Sequence, residues 1–271
     1  MKKRSVLSIA VYVFLALSAL FTLSPLILAL INSFKSNGEI LTNVLSLPTS
    51  ISGENYVRSF DKMHYLRSLI NTVILAVGSV SLIVLFSALA GWKLCRTKTK
   101  FSKFLLSLFI FSMLIPFNSI MIPLYKVVMT FNIKNSLIGL CFVYAGLGVS
   151  MAIFLYHGFV KGIPKELEEA AAIDGCSPLQ TFFRIVFPML KPVTATICIT
   201  NVLWIWNDFL LPLIVISDNK KYTLLLSTNT LFGQYSSDWS AILSALVIAA
   251  LPVIVFYALL QKQILKDRKS V

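Results

Sequence analysis

The sequence predicts an all-α, polytopic membrane protein with six transmembrane helices and a cytoplasmic helix–turn–helix segment. Three observations predict it. Hydrophobic residues make up 57% of the 271 and charged residues only 13%, with a mean hydropathy of +0.84; a soluble domain carries about 25% charged residues. Apolar runs of roughly the length needed to cross a bilayer recur six times. The Lys and Arg residues gather in alternate segments between those runs.

The first run, about 6–31, follows Met1-Lys2-Lys3-Arg4. It is too long for the apolar core of a signal peptide, and no small-x-small cleavage site precedes Asn32, so a retained helix is expected. A loop over about 32–68 leads to runs at 69–94, 104–128, 137–156, 193–216 and 241–260. Each meets or approaches the ~20 residues that a helix needs to span the hydrocarbon core. Helices are the expected form because they satisfy their own backbone hydrogen bonds in lipid. The whole chain, 1–271, reads as one transmembrane domain.

Of the 24 Lys and Arg residues, sixteen lie at the two ends and in segments 93–103 and 157–192; eight lie in the alternate loops. The positive-inside rule then places both termini in the cytoplasm and the 32–68 loop outside. The formal net charge of +13 is therefore mainly a topology signal, with nucleic-acid binding the remote alternative.

Several chemistries are missing. No G-x-x-x-x-G-K-[ST] loop is present to cradle ATP phosphates. His64 and His157 are far apart, and Cys95, Cys141, Cys176 and Cys198 show neither ligand spacing nor a disulfide framework. Asp208 is the only acid within the expected spans, whereas an ion-driven carrier normally needs several intramembrane ionisable groups. A self-contained carrier is thus disfavoured, and a membrane sensor lacks any signalling domain. The energy source is expected elsewhere.

Between the fourth and fifth runs, Pro164 suits the start of a helix and Glu166, Glu168 and Glu169 its positive end. Gly175 suits a left-handed helix stop, and Ser177-Pro178 reads as the N-cap and first position of a second helix. There Leu179, Phe182, Phe183, Val186 and Phe187 form an apolar stripe at helical spacing, and Pro188 and Pro192 close the segment. An amphipathic helix lying on the lipid surface would share that pattern. Ala170, Ala171 and Ala172, flanked by acids, suit docking into a protein groove better.

Glu169-Ala170-Ala171, then Gly175, Ile185 and Pro188, resemble the EAA–x3–G–x9–I–x–L–P loop of bacterial ABC importer permeases, with Phe187 where Leu is usual. Glu54-Asn55-Tyr56, Ser68-Leu69-Ile70-Asn71-Thr72, Ile115-Pro116, Ile122-Pro123-Leu124 and Trp206-Asn207-Asp208-Phe209 are similar to the maltose-transporter-type sugar permease branch. The ending Lys266-Asp267-Arg268-Lys269-Ser270-Val271 departs from the Gly/Ala-rich tail of that branch. The resemblance implies a permease paired with a second, homologous permease, an ATPase dimer below and an extracytoplasmic sugar-binding protein above, in a bacterial cytoplasmic membrane. It implies that ATPase coupling falls to Glu169, Ala170, Ala171, Asp174, Gly175, Ile185 and Pro188. ATP and Mg would be used by the ATPase, with no cofactor on this chain. The cargo could be a sugar or another solute such as a polyol, glycerol phosphate or polyamine.

Asp208, with Trp206 and Asn207, falls about 16 residues into the expected fifth span, roughly 24 Å from its cytoplasmic end. A buried acid there should face the pathway or a polar partner helix; tying helices together is at least as well founded as a sugar contact. Trp204 and Trp239 could stack on sugar but suit packing better. Pro25, Pro116, Pro123, Pro212 and Pro252 suggest kinks.

Overall fold

The computed structural model describes residues 6–233 and 237–267. The basic residues at 2–4 and the chain end at 268–271, with its departure from the family tail, lie outside the described residues. The fourteen α-helices are α1 (Val6–Asn32), α2 (Asn37–Thr42), α3 (Glu54–Lys62), α4 (Tyr65–Arg96), α5 (Lys100–Met113), α6 (Phe117–Thr130), α7 (Leu137–Val160), α8 (Glu166–Ile173), α9 (Pro178–Thr181), α10 (Phe187–Met189), α11 (Lys191–Trp206), α12 (Leu210–Val215), α13 (Leu224–Ser227) and α14 (Trp239–Asp267). Among the described residues the chain falls into two compact units, one of residues 6–65 with 227–254 and one of 66–226 with 255–267.

Among the described residues, four helices are long and apolar enough to span a membrane: α1, α4, α7 and the first part of α14. The third and fifth expected spans are not straight helices, which corrects the continuous spans expected from the sequence. In the third, α5 ends at Met113 and α6 begins after Pro116, the two halves meeting at 108°. Pro116 has no N–H to continue the helix and holds Ile115 out of the helical region. Just before the fifth, the run Pro178–Met189 meets α11 at 76°. Further along, α11 stops at Trp206 and α12 restarts at Leu210, so 193–216 holds two helices. The count is four continuous spans, or six if each bent pair crosses once.

In the second unit, α4 buries a stripe of small residues, among them Ser68, Thr72, Ala76, Ser79, Ser87, Ala88 and Gly91. Small residues let helix backbones approach closely in lipid, and the contacts are tight. A Cβ on Gly91 would meet Tyr156 Cβ at 2.7 Å and the His157 amide nitrogen at 3.0 Å. One on Gly78 would meet Cys141 Sγ at 2.9 Å. α4 and α7 are thus locked at both ends of their crossing. Two apolar clusters fill the unit, one around Leu75, Tyr144 and Ile205, the other around Ile83, Tyr156, Phe182 and Ile197.

The first unit is built on polar ties. Ser36 and Glu39 form a capping box at α2, and Glu39 also accepts from the Thr49 N–H and hydroxyl. Lys35 is wholly buried, its Nζ donating to the carbonyls of Asn43 and Val44 at 3.0 and 3.2 Å. Ser59 on α3 donates to Ala241 O at 2.7 Å, on the first turn of α14.

Candidate coupling and pathway sites

α8 begins at Glu166, two residues after Pro164, with Lys165 at its N-cap. Its end is a Schellman turn: Asp174 is the C-cap, Gly175 takes φ +82°, the Gly175 N–H donates to Ala172 O and the Cys176 N–H to Ala171 O. Ser177 then caps α9, closed into a capping box by Gln180. A single π-helical turn, Phe182–Val186, joins α9 to α10. The extra residue of that turn shifts the side-chain register, which corrects the expected stripe. Phe182, Val186 and Leu190 are buried, whereas Leu179 and Phe183 are exposed.

The expected coupling residues Glu169, Ala170, Ala171, Asp174 and Gly175 share one short helix and its turn, with Ile185 and Pro188 on the helical run that follows. Glu169, Ala170, Asp174, Gly175 and Pro188 are exposed, Ile185 is half-buried and Ala171 is buried. The alanine surface is therefore Ala170 and Ala172, with Ala171 turned inward. Glu169 accepts from Lys165 Nζ at 2.8 Å, and that hydrogen bond raises the Lys165 pKa above its ordinary value. Ile173 is 87% exposed at the end of α8. With Leu179 and Phe183 it gives the segment bare apolar side chains.

Sequence reasoning missed Glu168. Its Oε1 accepts from Arg96 Nε at 2.8 Å and Nη2 at 2.7 Å, and its Oε2 accepts from Trp92 Nε1 at 3.0 Å. Arg96 Nη2 also donates to Ile163 O at 2.8 Å. Glu168 and Arg96 side chains are only 12% and 17% exposed. One acid of α8 thus clamps the segment to the last two turns of α4, while its neighbour Glu169 faces out. The i, i+4 spacing of Trp92 and Arg96 was the available signal, but Arg96 reads from sequence only as one more cytoplasmic charge.

Trp206, Asn207 and Asp208 lie at the break between α11 and α12, and they do not converge on one point. Asn207 Nδ2 donates back to Leu203 O, and Trp206 is half-buried. Asp208 Oδ1 accepts from the Leu210 and Leu211 N–H groups at 2.9 and 3.3 Å, starting α12, while Oδ2 accepts from the Tyr144 hydroxyl at 2.9 Å. Tyr144 is fully buried and meets the edge of Trp204 at 5.3 Å between ring centroids. Asp208 does not sit within a helix as the sequence suggested; its carboxylate satisfies backbone freed by a broken one. Among the described residues no His, Cys, Asp and Glu group could hold a metal ion.

Residues 83–269 match the family described as the binding-protein-dependent transport system inner membrane component. The chain belongs to that family. This inner membrane component is 41% identical over 246 residues to the probable starch degradation products transport system permease protein AmyC of Thermoanaerobacterium thermosulfurigenes, covering 91% of this chain and 89% of that one. It is 35% identical over 247 residues to the melibiose/raffinose/stachyose import permease protein MelC of Bacillus subtilis, covering 91% and 89%. Its fold matches a chain of a bacterial ABC transporter involved in import of the acidic polysaccharide alginate, with a TM-score of 0.82, 22% identity and coverage of 97% and 99%.

Proposed function

We propose that this chain is the permease subunit of an ATP-driven, binding-protein-dependent importer of a sugar or oligosaccharide, forming half of the pathway with a second, homologous permease. The observation that carries the coupling role is the 166–188 segment. Its inner acid, Glu168, is clamped to α4, while Glu169, Ala170 and Ile173 are left exposed before a left-handed glycine turn. An exposed carboxylate beside small and apolar side chains suits a cleft that offers a cation and an apolar wall. ATP and Mg are used by the separate ATPase dimer that supplies that cleft, and this chain holds no cofactor of its own. A sugar-binding protein delivers cargo outside.

The names of the relatives support a sugar over a polyol, glycerol phosphate or polyamine. The charge distribution supports cytoplasmic termini and a cytoplasmic 160–192 segment in one transmembrane domain. Reconstitution in proteoliposomes with a second permease, an ATPase and a sugar-binding protein tests the reading. Sugar uptake should require all four components and ATP. Uptake driven by an ion gradient without the ATPase would instead make the chain a self-contained carrier. Single cysteines at Lys165 and Glu54 test the orientation: only Glu54→Cys should react with an impermeant thiol reagent added from outside.

A further inference from the structure

Near the middle of the second unit's long helices lies an open cavity of about 370 Å³, within the ~300–1,000 Å³ typical of small-molecule sites. Gly148 on its floor is halfway along α7, and Thr200 is just past the middle of α11. That is the depth at which secondary transporters hold their cargo. Met113 of α5 with Leu147 and Met151 of α7 form an apolar wall; Thr200, Asn201 and Trp204 of α11 form the other.

Three features of this cavity go beyond helix packing. The Trp204 ring is 39% exposed, and its orientation is set from behind, because it abuts Tyr144 at 83° and Tyr144 is tied to Asp208. Asn201 donates through Nδ2 to Ile197 O at 2.8 Å, but its Oδ1 accepts no hydrogen bond among the described residues. That oxygen points toward α7, where a Cβ on Gly148 would come within 3.0 Å of it. The indole N–H of Trp204 is likewise without a hydrogen-bond acceptor among the described residues. Both groups are accessible and unpaired, so they can bond a ligand that enters the cavity.

We propose that this cavity takes one ring of a neutral saccharide in transit, its C–H face on the Trp204 indole and its hydroxyls on Asn201 Oδ1 and Trp204 Nε1. The inference rests on the importer reading above and adds that this chain touches the cargo directly. A flat aromatic face with negative charge density attracts the polarised C–H groups of a pyranose, and an amide oxygen and an indole N–H complement its hydroxyls. No charged side chain lines the cavity. A uronate or phosphosugar would bring an anion into an apolar span with no cation to meet it, at high cost.

The test uses the complete importer in proteoliposomes, offered labelled raffinose, maltotriose, arabinotriose and trigalacturonate. Wild type should import at least one of the neutral sugars and not trigalacturonate. Trp204→Ala and Asn201→Leu should each lower the sugar imported per ATP hydrolysed about tenfold, the loss of one contact, with Trp204→Phe in between. A purely structural role would lower uptake and hydrolysis together, leaving that ratio unchanged, and would overturn the proposal. So would import of trigalacturonate alone, with the importer reading intact; import of no sugar under any condition fails the importer reading itself. If the variants do not assemble, the wild-type complex imaged with its imported sugar decides. Sugar density against Trp204 supports the proposal, and a side chain of the second permease filling the cavity overturns it.

Discussion

Replacing Glu168 with Ala should free the 166–188 segment from the membrane helices without unfolding them. The carboxylate accepts two contacts from Arg96 and one from Trp92, all between 2.7 and 3.0 Å. Removing one member of a fully buried pair costs about 3–5 kcal/mol. Here both side chains are slightly exposed and Arg96 keeps Ile163 O, which reduces the cost to about 2–4 kcal/mol. Charged to local opening of α8 rather than to global unfolding, that loss corresponds to about 30- to 1,000-fold more frequent opening. Hydrogen–deuterium exchange of the Glu166–Ile173 amides in nanodiscs should quicken by that factor, while α7 amides around Tyr156 should not change. Glu166→Ala, at an exposed position of the same turn, should alter exchange by less than about threefold. In the reconstituted importer, Glu168→Ala should hydrolyse ATP with less sugar moved per cycle, because the segment moves without pulling α4. Unchanged exchange together with an unchanged uptake-to-hydrolysis ratio would refute the clamp.

Gly175 has φ +82° but open space where a Cβ would point, so backbone alone limits substitution, at about 1–2 kcal/mol; transport should fall in the order Gly, Asn, Ala, Val, and a Val variant equal to wild type would remove the turn from the mechanism. Asp208→Leu loses the α12 cap and strands the buried Tyr144 hydroxyl, costing about 2–4 kcal/mol, whereas Asp208→Asn keeps its amide oxygen to cap α12 and an NH2 that can donate to the Tyr144 oxygen, and should cost less than half as much; thermal unfolding in detergent checks the ranking. In the first unit, hydrogen bonds from Thr49 and Ser36 hold the exposed Glu39 carboxyl down at about 2. Burial would raise Asp238, but the Ala241 N–H, the Ser240 hydroxyl and the charges of Arg58 and Lys62 outweigh it and lower its pKa. Both folded values lie below the ordinary ones, so their stabilisation is full above about pH 4.5 and is lost as pH falls through the folded values; Glu39→Gln with Asp238→Asn should flatten the acid limb of stability between pH 4.5 and 2.

Local chemistry was the readable part of this sequence. Gly175, Ser177 and Pro178 announce their conformations through side chains that act within a few residues, and each is found in the expected role. The long apolar runs fall on the long helices for the same reason. The breaks were harder. Pro116 reads as a kink within one span, yet the adjoining helices diverge by 108°, a change of direction that the proline alone does not announce. At 207–209 no proline marks the break; the stop depends on Asp208 finding Tyr144, 64 residues away in sequence. Glu168 and Arg96 are 72 residues apart, and nothing local distinguishes Glu168 from Glu169. Lys35 reads as an external charge and is instead buried on two carbonyls. Each failure is a tertiary partner that no window of sequence contains.

The most apolar stretch of α1 has a mean hydropathy of 2.4 and none of it is buried against the rest of the chain. Its place in the bilayer therefore depends largely on partitioning, to which each Leu, Ile, Phe or Val adds about −0.3 to −0.6 kcal/mol. Any permutation of those residues inserts equally well as far as this chain is concerned. α4 is as hydrophobic but is read by its neighbour, since a single methyl at Gly91 or Gly78 collides with α7. Mutational drift among related chains should then run fast along α1 and slowly along the small-residue face of α4, although a hydropathy plot draws the two alike.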